Sequence, residues 1–178
     1  MPSHGFIAAQ ILGIITTVLF VISLQQRKKE RFLLLQTIGT LLFIAQYILT
    51  DKITGAATFA VVAVRGMVFY FYSRKELKPS LAVLIVFLIA LVISTCFTWQ
   101  NLLSLIPLAA TAAKTWGTWQ EDMKWTRRTS LFGQACMVVY NLAMAPRVYT
   151  GALTELCNLV STLVAMRRYD FRKGRVPD

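Results

Sequence analysis

Residues 58–75 read TFAVVAVRGMVFYFYSRK. Val61 to Val64 and Met67 to Tyr72 are suited to hydrocarbon, and Arg65 stands alone between them. No Asp or Glu lies in the ten residues before it. The block closes on Phe69, Tyr70, Phe71 and Tyr72, then Arg74 and Lys75, an aromatic and basic ending of the kind found at a membrane interface. The stretch reads as a spanning helix with a cation near its middle.

The rest of the chain agrees. It has 178 residues, 56% hydrophobic, and a mean hydropathy of +0.58. Soluble domains hold about 45–50% apolar residues; here the apolar residues come in long runs, as in integral membrane proteins. Net charge is +11, from 19 Lys+Arg against 8 Asp+Glu. In a soluble protein that would suggest nucleic acid, but no aromatic-basic motif or zinc spacing supports it. Basic loops of a membrane protein account for it instead. Cys96, Cys136 and Cys157 sit in apolar runs with no metal spacing and read as small packing residues. The first run, 6–24, lacks a basic residue before it and a small-residue cleavage site after it, so a retained helix is expected rather than a signal peptide.

A span takes about 20 mainly apolar residues. Seven are expected: 5–24, 32–50, 54–73, 79–97, 101–119, 127–145 and 149–167, the sixth being the most polar. Lys and Arg alternate between the connections. The loops after the first, third and fifth spans and the tail after the seventh hold fifteen, against Lys52 and Arg147 on the opposite side. The bias predicts an outer N-terminus and a cytoplasmic C-terminus. Arg65 and Lys114 remain, both inside spans.

Residues 31–75 and 127–173 also resemble each other. Both carry an amide toward the outer end of their first helix, Gln46 and Asn141. Both turn through Thr-Gly-Ala, at 54–56 and 150–152, and end in an aromatic and basic cluster. Each is preceded by another span, with Gly13 opposite Pro107. The expected fold is therefore all-α and integral to the membrane, a single domain over 1–178. Its plan is 3+1+3: a first three-helix repeat (5–73), a linker helix (79–97), a second repeat (101–167) and a basic cytoplasmic tail (168–178). Joining two triplets through one helix makes the repeats parallel, with their axis along the membrane normal.

The motifs "AQILGIITTVLFVISLQQRKKERF" and "TGAATFAVVAVRG" give the chain a resemblance to the bacterial inner-membrane YgjV-type family over nearly its whole length. That family brings no assigned activity with it. The 3+1+3 plan is similar in architecture to the SWEET, PQ-loop and PnuC group of small-solute carriers. The chain departs from that group in two ways: Leu24-Gln25 replaces the Pro-Gln pair, and Pro107 is the only proline inside a span. The resemblance implies a substrate-facing Asn in each triplet's last helix; Asn158 matches in the second, whereas the first has Val62.

Charged residues at a bilayer centre cost about 2.5–3.5 kcal/mol on insertion scales and face a cavity or a partner. Arg65 falls roughly 16 Å and Lys114 roughly 20 Å inside the outer face by helical rise. Lys114 reads either as a site residue or as a lysine that snorkels inward beside Trp116 and Trp119. Glu155, the acid inside a span, is expected to pair with Arg65 or Lys114, or else to bind a proton or cation. Asn158 lies one turn below it. The candidate substrate-binding set is Arg65, Lys114, Asn158, Glu155, Asn141 and Gln46, with Gln10 nearby and Pro107 as a hinge that kinks the fifth helix. The amides also serve as ordinary interhelical hydrogen-bonding groups. The aromatic run 69–72 and Trp99, Trp116, Trp119 and Trp125 read as interfacial belts, with Trp116 also able to stack inward on a ring.

No catalytic constellation, P-loop, metal site or cofactor is expected: the one histidine, His4, lies outside the spans. The expected function is a facilitator or carrier of a small polar solute, with two cations against one acid favouring an anion. The alternative is a non-transporting structural, lipid-binding or assembly-partner protein. Expected partners are the bilayer, with anionic lipid at the basic loops, and the solute. Self-association stays open, and nucleic acid is not expected.

Overall fold

The computed structural model describes residues 4–49, 53–99, 101–143 and 149–171. Among them the chain forms seven α-helices and no strand: α1 (His4–Leu24), α2 (Lys29–Leu49), α3 (Ile53–Arg74), α4 (Leu81–Phe97), α5 (Leu105–Trp119), α6 (Met123–Ala143) and α7 (Tyr149–Tyr169). A 3-10 turn, Leu102–Ser104, opens α5 and is capped by the Asn101 side chain, which accepts from the Leu103 N–H. Lys52 and Arg147, and the tail cations Arg172, Lys173 and Arg175, lie outside the described residues.

The expected elements are recovered with shifted ends. Helix α2 begins at Lys29 and α6 at Met123, each a turn early, because the charged first turns stay helical outside the apolar run. Pro107 is the third residue of α5. In a first turn the missing N–H breaks no helical hydrogen bond, so the kink expected there has nothing to interrupt.

Neighbours in sequence are neighbours in space. Helix α1 packs on α2 and α2 on α3; α5 packs on α6 and α6 on α7. Helix α4 touches α5 and, more lightly, α3, while α1 also meets α7. The chain therefore makes two tight groups of three, and α4 buries only one stripe: Leu84, Phe87 and Leu91. The alternating helices bring the α1–α2, α3–α4 and α5–α6 connections and the end of α7 to one end, called here the basic end. Its apolar core joins Leu24, Phe32, Leu33, Phe69, Phe87 and Met123. Phe69 is 1% exposed and meets Phe87 edge-on at 5.8 Å, so it belongs to this core and not to the expected interfacial belt. Trp116 packs edge-on against Trp125 at 5.3 Å.

Burial is inverted relative to a water-soluble bundle. Thr16, Ser23, Thr115, Thr126 and Thr162 are buried, while Ile14, Val18, Val86, Val139, Leu153 and Val160 are exposed. Soluble folds keep such apolar side chains inside and do not leave broad apolar faces open. Small hydroxyl residues between helices are what packing within lipid favours. Among the described residues no single helix is long and apolar enough to cross a membrane; α4 has 17 residues, α5 has 15, and α2 opens on Lys29, Glu30 and Arg31.

Candidate functional site

The polar side chains gather along the seam between the two groups of three. Arg65 on α3 is 9% exposed and reaches across to α5, where Nη1 donates to Thr115 Oγ1 at 2.5 Å. Thr115 keeps its own proton on the Thr111 carbonyl, 2.7 Å away. On the other side of the seam, Gln25 Nε2 donates to the Ser161 carbonyl at 2.8 Å and to Ser161 Oγ at 2.9 Å. Ser161 Oγ then donates to the Val21 carbonyl at 3.0 Å. The seam is thus crossed once from α3 to α5 and once from α7 to α1.

A second crossing lies at the basic end. The Lys29 ammonium donates to the Gln120 carbonyl. Arg127 Nη2 donates to the Gln26 carbonyl at 3.0 Å. Each bond runs from the start of one group's middle helix to the residues just past the other group's first helix. Arg127 is further held by Asp170, Nη1 to Oδ1 at 2.5 Å, in a pair only 4% and 7% exposed. Arg127, Arg27 and Arg168 all stand over the Tyr169 ring, at 5.1, 5.0 and 5.3 Å. Burial lowers the Lys29 ammonium from its ordinary 10.5 to about 8; Glu121 opposes the shift and Lys78 adds to it. Lys78 itself lies 4.4 Å over Trp119, whose Nε1 donates to the Pro79 carbonyl.

Beside Arg65 is a pocket of about 20 Å³ between α2, α3 and α5. Gln36, Thr37, Thr40, Gly66 and Thr118 line it with Arg65. Thr37 Oγ1 is buried and has no hydrogen-bond partner. The Thr40 hydroxyl donates to the Gln36 carbonyl, and the Thr118 hydroxyl to carbonyls of α5. A wider pocket of about 240 Å³ opens at the basic end among Lys29, Ser73, Glu76, Lys78 and Glu121.

The remaining expected site residues sit elsewhere. Asn141 and Asn158 are buried within the second group, and Asn158 Oδ1 has no partner. The Thr162 hydroxyl lies 2.9 Å from Gln134 Oε1 and 2.8 Å from the Asn158 carbonyl, which ties α6 to α7. The Lys114 stem covers Gly133 of α6 and is half-buried. Gln46 lies against Gly13 of α1. The Gln10 side chain is outside the described residues.

The expected ion pair does not form. Glu155 Oε2 is buried without a hydrogen-bond partner, and neither Arg65 nor Lys114 reaches it. Axial position explains this for Arg65. The contacts of Gly66 with Thr37, Gln36 with Ser23 and Ser161 with Val21 put Arg65 and Ser161 at one level. Glu155 lies six residues further along α7, about 9 Å by helical rise. Sequence reading found Arg65 but missed its partners. The signal was available in hydroxyls at helical spacing, Thr111, Thr115 and Thr118 on α5 and Thr37 and Thr40 on α2. Asp170, the acid that does pair, was hidden among tail cations.

Compared with known proteins, residues 7–173 match a family model described as a bacterial inner membrane protein. No curated protein and no solved structure matches the chain.

Proposed function

The chain belongs to the Imp-YgjV family of bacterial inner membrane proteins, and from that premise we propose a seven-span carrier or facilitator of a small polar, anionic solute. It is built as two parallel three-helix repeats joined by α4. The apolar outer faces and hydroxyl-rich interior support the spanning reading. Six of the helices have 15, 17 or 21 residues and α3 has 22. At a rise of about 1.5 Å per residue the longer ones cover the roughly 30 Å of a hydrocarbon core.

One observation carries the reading: four of the bonds across the seam form two related pairs, while the two Gln25 donations to Ser161 have no counterpart. Arg65 to Thr115 and Ser161 to Val21 occupy corresponding places, α3 to α5 and α7 to α1, at offsets of about 94–96 residues. Lys29 to Gln120 and Arg127 to Gln26 form the second pair, at the basic end. Two compact bodies that meet along one seam, through a few polar bonds and an apolar core at the basic end, suit alternating access by rocking. The basic end is cytoplasmic by its cations, and in this conformation Lys29 and Arg127 tie the two groups together there. Glu155, whose Oε2 is buried without a partner on α7, is the group for a coupling proton or cation, and Asn158 Oδ1, also without a partner, is an acceptor for a polar solute. The protein carries out no covalent chemistry.

The test is flux. Parent protein in liposomes is challenged with gradients of chloride, nitrate, formate and acetate, and compared with protein-free liposomes. At least one anion moves faster through the parent, and the double change Arg65→Ala with Lys114→Ala abolishes that flux at equal protein. Equal flux in parent and double variant would sink the site assignment.

The alternative reading, a lipid-binding or assembly protein that moves nothing, has its own support. Neither the pocket beside Arg65 nor the one at the basic end is lined by Asn158. There the basic loops hold anionic lipid, at about 1 kcal/mol per residue, and the seam bonds serve packing alone. It is the reading left standing if no anion moves.

A further inference from the structure

We propose that the pocket beside Arg65 binds one monatomic inorganic anion, of the size of chloride. Three features on the page point to it. The first is uncompensated charge. A guanidinium has five N–H donors and stays protonated. Thr115 takes one of Arg65's, and no carboxylate pairs with Arg65 among the described residues. A buried cation is expensive unless an opposite charge and hydrogen-bond acceptors meet it.

The second is a matching donor. Thr37 is 7% exposed, lines the same pocket as Arg65, and its hydroxyl has no partner. The protons of Thr40 and Thr118 are already spent on carbonyls of their own helices. Thr37 is therefore the hydroxyl free to donate beside the guanidinium. A charged donor and a neutral donor facing one space suit an anion better than a cation.

The third is size. The pocket measures about 20 Å³, where about 10–15 Å³ of probe-occupied volume holds one water. A single-atom ion fits.

The site deepens the carrier reading by giving its solute a chemical class, and it rests on that reading only for whether the ion is moved. Binding is measured apart from flux. The full chain in detergent is melted in sodium chloride or sodium gluconate at matched ionic strength and pH, over a range of chloride concentrations. A ligand of the folded state raises the melting temperature in a saturable way. The parent shows a saturable rise with chloride, and bromide reproduces it. Arg65→Gln abolishes the rise. Thr37→Val moves its midpoint upward about tenfold, the loss of one hydrogen bond to an anion.

No saturable chloride response in the parent overturns the proposal, as does an undiminished response in Arg65→Gln. Should Arg65→Gln fail to fold, Thr37→Val decides alone, and an unchanged midpoint overturns it. Saturable binding without flux in liposomes keeps this site and removes the carrier. Flux without saturable binding keeps the carrier and removes this site.

Discussion

Arg65 and Arg127 are two buried arginines with different roles. Arg127 has its acid, Asp170, and a carbonyl, Gln26. Removing one member of such a pair leaves the other charge buried and typically costs 3–5 kcal/mol, roughly. Asp170→Asn or Arg127→Ala should therefore lower the melting temperature sharply, whereas Arg168→Ala, on an exposed side chain, should not. Lys29 gives a pH signature. Its folded-state pKa of about 8 lies below the ordinary 10.5. Between those values the unfolded chain holds more protons, so stability rises with pH across that window. Below about pH 8 the penalty is fully present. Melting scans from pH 7.5 to 10.5 should show the rise in the parent and a smaller one in Lys29→Gln. At this scale the sequence revealed charges but not pairings. Arg65 was visible because one cation interrupts an apolar run. Its partner was not, since Thr115 differs from other helical threonines only in the neighbour α3 brings to it.

At the scale of elements, helix positions followed from hydropathy and charge, and helix contacts followed from short connections. What hydropathy could not give was close packing. Gly117 on α5 is buried against Thr129 of α6. A Cβ at Gly117 would lie 1.8 Å from Thr129 Oγ1 and 2.8 Å from its Cβ, so rotating the hydroxyl alone gives no relief. Gly117→Ala should cost about 1–3 kcal/mol by overpacking, read as a lower melting temperature. The double change Gly117→Ala with Thr129→Ala removes the Oγ1 and Cγ2 contacts but keeps the Cβ at 2.8 Å, so it should recover only part of it. The helix ends were displaced where charged residues extend a helix beyond its apolar run, as at Lys29 and Met123. Pro107 looked like a mid-span kink because the span was counted from Asn101; the 3-10 turn moves the helix start to Leu105 and the proline into its first turn.

For the whole molecule, seven helices were legible from the spacing of apolar runs, but the Thr-Gly-Ala segments read as turns, 54–56 and 150–152, lie within the opening residues of α3 and α7. The seam was not legible, because it is made by residues 50 or more positions apart, such as Arg65 and Thr115 or Gln25 and Ser161. Orientation is checked in cells: a C-terminal fluorescent-protein fusion should fluoresce and a C-terminal alkaline phosphatase fusion should be inactive, the reverse pattern contradicting a cytoplasmic tail. Movement of the two groups against each other is checked at Lys29 and Gln120. In a chain with Cys96, Cys136 and Cys157 replaced by serine, Lys29→Cys and Gln120→Cys are joined by a short, reducible bifunctional thiol reagent, and chloride flux is measured in liposomes before and after reduction. The account predicts that flux falls to the protein-free level when the two groups are tied and returns when the tie is reduced. Flux that continues unchanged through the tied protein would contradict it.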